Sequence, residues 1–156
     1  MIFEAPTEWI SPESFPDLKD HKYIAIDLET RDPGLKARGS GALIGDGEIV
    51  GVAVAVEGWS GYYSFGHKEG NFFDEAVVMR WVKEICALPN VKLFHNAMYD
   101  VCWLRAYGVQ INGHIVDTMV MASLVDENRF HYSLNSLSID YLGQVKDETA
   151  LRAAAD

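Results

Sequence analysis

The chain is expected to form one α/β domain, a mixed central sheet flanked by helices, and three observations predict it. Residues 23–30 alternate apolar and polar side chains with a period of two, as a half-buried strand does. Two further extended runs, 49–56 and 61–65, follow, joined in hairpin fashion around Glu57-Gly58. From residue 74 onward, helical and short extended patterns take turns, the order expected of strands connected through helices.

Each element has its own signal. Pro6, Pro12 and Pro16 make residues 1–20 an irregular N-terminal arm rather than a core element, leaving 21–156 as the domain proper. The first strand is expected over 23–29. Arg31 to Gly47 holds five glycines and Pro33, which predicts a long mobile loop. Asp74 is placed to cap a helix whose Val77, Val78, Trp81, Val82, Ile85 and Leu88 make an apolar stripe. A short strand over 91–94 leads into a helix carrying Tyr99, Cys102, Trp103, Leu104 and Tyr107. A last short strand near 111–116 precedes a helix starting at Asp117, and Ser133 caps a helix with Leu134, Leu137, Tyr141 and Leu142. No internal repeat is visible, and the only low-complexity tract is Ala153-Ala154-Ala155.

With 156 residues, 49% of them hydrophobic, the chain has enough apolar material for one real core. It has no run of 18 apolar residues and no basic-then-apolar N-terminus, so no membrane partner and a cytoplasmic location are expected. Cys86 and Cys102 fall in helical patterns and read as small buried thiols.

The chemistry lies in the acids. Along the first strand Ile24, Ile26 and Leu28 share one face, and Asp27 and Glu29 share the other. Two carboxylates side by side are either solvated at the end of an edge strand or neutralised by a cation, and hard divalent ions prefer such oxygen ligands. Asn96 and Asp100 lie four residues apart where a strand passes into a helix, which gives them a common face and aims a third carboxylate outward. Asn96 also suits a helix N-cap, and Asp100 suits a first-turn acid complementing the helix dipole.

Asp27-Leu28-Glu29 and Asn96-Ala97-Met98-Tyr99-Asp100 together resemble the D-x-E and N-x-x-x-D motifs of the DEDD superfamily of 3′–5′ exonucleases, above all the proofreading-type domain of family-A DNA polymerases. Asp117-Thr118-Met119 is similar to the D-T-M that opens that family's next helix. The segment from Tyr132 through Leu137 to Tyr141-Leu142-Gly143 resembles the helix after it. The resemblance covers roughly residues 20–145.

It implies a ribonuclease H-like fold and hydrolysis of phosphodiester bonds at single-stranded DNA 3′ ends by two divalent ions, Mg²⁺ or Mn²⁺. Carried over, Asp27, Glu29 and Asp100 are catalytic metal ligands, and Thr30 and Asn96 contact substrate. A polymerase domain in the same polypeptide and a bacterial or phage-infected cell are implied partner and setting. The alternatives are an RNA-trimming enzyme of the same superfamily and a non-catalytic structural or nucleic-acid-docking domain of the same fold. The net charge of −10 argues against a general duplex-binding module, but not against a site that holds a few terminal nucleotides beside bound metal.

The family's third motif, Y-x-x-x-D or H-x-x-x-x-D, does not occur where it is due. Tyr132 and His131 both lead to Ser136, and Arg152 precedes Asp156 in a pattern without the tyrosine. The domain is therefore expected to be truncated at its C-terminus, part of a longer polypeptide, and inactive or weakly active as it stands. Of the remaining polar residues, His95 reads as a packed strand-end histidine and Asp117 as an N-cap. Trp59, Tyr62, Tyr63 and Phe65 read as sheet packing.

Overall fold

The computed structural model of the protein describes residues 10–144. Its strands are β1 (Tyr23–Arg31), β2 (Glu48–Val56), β3 (Trp59–Ser64), β4 (Val91–Phe94) and β5 (Ile115–Asp117). They form one sheet in the order β3-β2-β1-β4-β5. β1, β2 and β3 pair antiparallel as a meander, while β4 and β5 add on in parallel, so the sheet is mixed as expected. Val56 pairs with Trp59, which leaves Glu57-Gly58 as the whole hairpin turn, with Gly58 at φ 81°.

The helices are α1 (Leu35–Arg38), α2 (Glu75–Ala87), α3 (Ala97–Ala106), α4 (Thr118–Val125) and α5 (Leu134–Leu142). Asp74 and Ser133 cap α2 and α5 by accepting from Val77 N and Ser136 N, as their sequence positions indicate.

Alternation along β1 works as read. Ile24, Ile26 and Leu28 are buried and Asp27 and Glu29 exposed. The apolar face joins Val52, Val54 and Tyr63 of the meander, Val78, Trp81, Val82 and Ile85 of α2, and Trp103 and Leu104 of α3 in one core. Full burial of an aliphatic side chain of this size contributes about 1.5–3 kcal/mol. Burial of the apolar triplet is therefore enough to anchor β1 against the core.

Several expectations need correction. The arm is irregular, but it is not outside the core: Leu18 is fully buried, and Phe15 stacks on Tyr63 at 4.9 Å between ring centroids. Residues 1–9 lie outside the described residues. The 31–47 segment is built rather than open, with α1 and a 3₁₀ turn at Gly41–Leu43. Asp32 accepts from Gly41 N at 3.0 Å and Arg38 pairs with Asp46 across the loop, tertiary contacts that a glycine count does not reveal. In α2, Val77 is exposed, and Met79 and Cys86 are buried in its stead. β3 begins two residues earlier than expected, and β5 is confined to three residues because only Lys92, Leu93 and Phe94 offer it partners.

Lys92 on β4 is fully buried. Its ammonium donates to the carbonyls of Leu88, Asn90 and Asn112, tying the end of α2 to the segment before β5. Burial lowers its pKa, while the three acceptors match its three N–H groups.

Candidate active site

The site forms where β1 outruns its neighbour. β4 pairs with β1 only from Tyr23 to Ala25, so beyond that point one edge of β1 has no strand partner. The Leu28 amide lies on this stretch, between the two acids, and Asp100 takes it: Asp100 Oδ1 accepts from Leu28 N at 3.1 Å. The two acid motifs are thereby joined by a buried hydrogen bond. On its other side β1 bulges against β2 between Glu29 and Thr30, a common device for redirecting side chains at the edge of a site.

Asp100 does not point outward, as its helical spacing with Asn96 implies, but lies buried with 3% of its surface exposed. Burial, and then the charge of Asp27, pushes its carboxyl up to about 7, against the pull of the Leu28 amide. Asn96 occupies the N-cap position of α3, yet it adopts a left-handed conformation (φ 69°, ψ 55°) and its side chain makes no capping bond. It is the one non-glycine residue with positive φ among the described residues.

Thr30 extends the site beyond the acids. The Tyr99 hydroxyl donates to Asp32 Oδ2 at 3.2 Å and accepts from Thr30 Oγ1 at 2.6 Å, linking β1, the 31–47 segment and α3. The sequence pattern places Tyr99 on the helix without assigning it a role in the site. The available signal was its place beside Asp100, facing a threonine that directly follows the D-x-E.

Tyr62 was also missed. Tyr63 packs in the core as expected, but alternation turns its neighbour to the face carrying Asp27, whose partner Ala53 pairs in turn with Tyr62. The Tyr62 hydroxyl arches over Gly51, the partner of Glu29, so closely that a Cβ there would lie 2.1 Å from it. Burial, then the charges of Glu29 and Asp27, pushes the Tyr62 phenol up to about 12. From Asp27 a groove of about 620 Å³ runs over Ala25, Ala53 and Ala55 toward Leu93 and Leu134.

His95 is the packed residue expected, with Nδ1 on Thr118 Oγ1 and Nε2 on the Tyr132 carbonyl, both at 2.9 Å. Asp117 caps α4 as expected. Asp156 and Arg152 lie outside the described residues.

The donor set is all carboxylate oxygen, which suits Mg²⁺ or Mn²⁺. Among the described residues no three His, Cys, Asp or Glu side chains converge as a ready-made metal cluster. Asp100 is turned to the Leu28 amide, and its carboxyl is raised first by burial and then by the nearby charge of Asp27, a second acid that a bound cation would offset.

The chain belongs to the 3′–5′ exonuclease family, whose model matches residues 7–156, and specifically to the type found in family-A DNA polymerases. Families of this superfamily are generally dependent on divalent metal. A DNA-directed DNA polymerase of Pseudomonas phage M6 is 29% identical, over 96% of this chain and 24% of its own length. The chain spans about a quarter or less of the phage polymerases it matches. The fold is shared with Brucella melitensis NrnC with bound Mg²⁺ (TM-score 0.60, 14% identity, 86% of this chain and 61% of that one). It is shared also with Pol1 from M. smegmatis (TM-score 0.57, 16% identity, 88% of this chain and 22% of that one). No helix among the described residues is long and apolar enough to cross a membrane.

Proposed function

We propose that the chain is the metal-dependent proofreading domain of a DNA polymerase, removing nucleotides from single-stranded DNA 3′ ends in the cytoplasm of a bacterial or phage-infected cell. The observation that supports this reading is the bond by which Asp100 accepts from the Leu28 amide, between Asp27 and Glu29, so that the second motif is tied to the first. Asp27, Glu29 and Asp100 would hold Mg²⁺ or Mn²⁺, which when bound supplies an activated water and stabilises the anionic transition state and leaving 3′ oxygen.

The chain's own residues do the holding. Thr30, fixed through Tyr99, offers its oxygen to the terminal nucleotide, and Asn96, with no capping bond to make, contacts the substrate backbone. With three of the four carboxylates that the resembled site uses, the 156-residue chain is inactive or weakly active by itself.

The test is Mg²⁺-dependent shortening of 5′-labelled single-stranded DNA by the chain and by a longer form that carries a third motif. The longer form should release mononucleotides, stop at a blocked 3′ terminus, and lose activity in Asp27→Ala. No activity in a longer form with an intact third motif favours the non-catalytic domain. Faster trimming of a matched RNA favours the RNA-processing alternative.

A further inference from the structure

We infer that Asp117 is a positioning residue of this site: its one carboxylate ties the start of α3 to the start of α4 and thereby sets Asp100 against β1. Its importance for catalysis rests on the exonuclease reading, whereas its geometry does not.

A helix begins with four backbone N–H groups that lack partners, and the N-cap residue commonly satisfies some of them. Asn96 stands at that position of α3 and leaves the task undone. Asp117, the strand partner of Phe94 at the end of β5, does it from 20 residues away. Its Oδ2 accepts from Ala97 N at 2.8 Å, and its Oδ1 accepts from Asn96 N at 3.1 Å. The same Oδ1 accepts from Met119 N at 2.9 Å and Val120 N at 3.4 Å, at the start of α4. Burial alone would raise the pKa of this carboxyl, but the four amides hold it below the usual carboxylate range.

The consequence passes through Asn96. A left-handed backbone is unfavourable for a residue with a Cβ, though asparagine tolerates it better than most. Here it reverses the chain between Phe94 and Ala97, so that α3 starts directly against the end of β4. Asp100 sits in the first turn of α3, and the register of that turn decides whether its carboxylate meets the Leu28 amide. Both amides at the reversal bind Asp117. Freeing them releases the turn that places Asp100, and with it the link between the two acid motifs.

Asp117→Ser separates the two halves of this role. Serine is a good N-cap and keeps α4 capped locally, but it is too short to reach Asn96 and Ala97. In the metal-free chain, hydrogen exchange at the Leu28 amide should accelerate about tenfold, while Ile24 and Ile26 stay protected. Mn²⁺ affinity, read from water-proton relaxation, should fall about tenfold, and that fall should vanish in an Asp100→Asn background. Uniformly faster exchange across β1, or unchanged exchange at Leu28, overturns the inference while leaving the site assignment standing. If Mn²⁺ binding by the parent ignores Asp100→Asn, the site assignment fails, and Leu28 exchange still decides the role of Asp117. Should Asp117→Ser not fold, Asp117→Asn is read the same way, since it keeps one oxygen and sets an NH₂ group against the donors.

Discussion

Replacing Asp100 with asparagine should stabilise the metal-free protein at neutral and alkaline pH and do little at pH 4. Asp100 is buried, and its carboxyl is raised from 3.8 to about 7 by burial and by Asp27. A displacement of that size corresponds to at most about 4 kcal/mol against the ionised form, and relaxation around the buried charge reduces it. The sign follows from proton counting. Below about pH 4 the group is protonated whether the chain is folded or not. Between about 4 and 7 the folded protein keeps a proton that the unfolded chain has lost, so stability falls as pH rises, and it levels off above about 8. Asparagine has no charge to lose and retains the oxygen that accepts from Leu28. In EDTA the variant should therefore match the parent near pH 4 and exceed it by about 1–3 kcal/mol at pH 8. For a domain of this size, that is roughly 3–9 °C in Tm. Millimolar Mn²⁺ should narrow the gap by stabilising only the parent. Equal melting at pH 8, or a less stable variant, would show that Asp100 is a satisfied structural acid and that its burial stores no charge for a cation.

Two other substitutions probe the supports of the site. Lys92→Met should cost about 2–4 kcal/mol in urea unfolding, because it strands the carbonyls of Leu88, Asn90 and Asn112 in a buried place; a loss under about 1 kcal/mol would mean that water takes over the ammonium's bonds. Tyr99→Phe should cost about 1–2 kcal/mol and, in any form that shows exonuclease activity, raise KM more than it lowers kcat, since it frees Thr30 while leaving the acids untouched; an effect on kcat alone would place Tyr99 in the chemical step.

What the sequence made legible was whatever depends on near neighbours. The faces of β1, the two-residue turn at Glu57-Gly58, and the caps at Asp74, Ser133 and Asp117 all follow from residues within four positions of one another. The D-x-E pair was readable for the same reason, because a strand's period is two and needs no knowledge of the sheet. Asp100 was misread because its direction depends on where β4 stops. A helix period places it on a face, but only the open edge of β1 turns that face inward.

Tyr62 and Tyr63 show the same limit from the other side: adjacent strand residues must face oppositely, and grouping them in one aromatic stripe discarded the alternation already used for β1. The loop at 31–47 and the second pair of bonds made by Asp117 are beyond such reading, since their partners are set by tertiary contact alone. The acids were visible as motifs, whereas the long-range bonds that hold the motifs together were not. Asp100, Tyr99 and Asp117 each reach across 20 or more residues, and through them the separate D-x-E and N-x-x-x-D segments become one place.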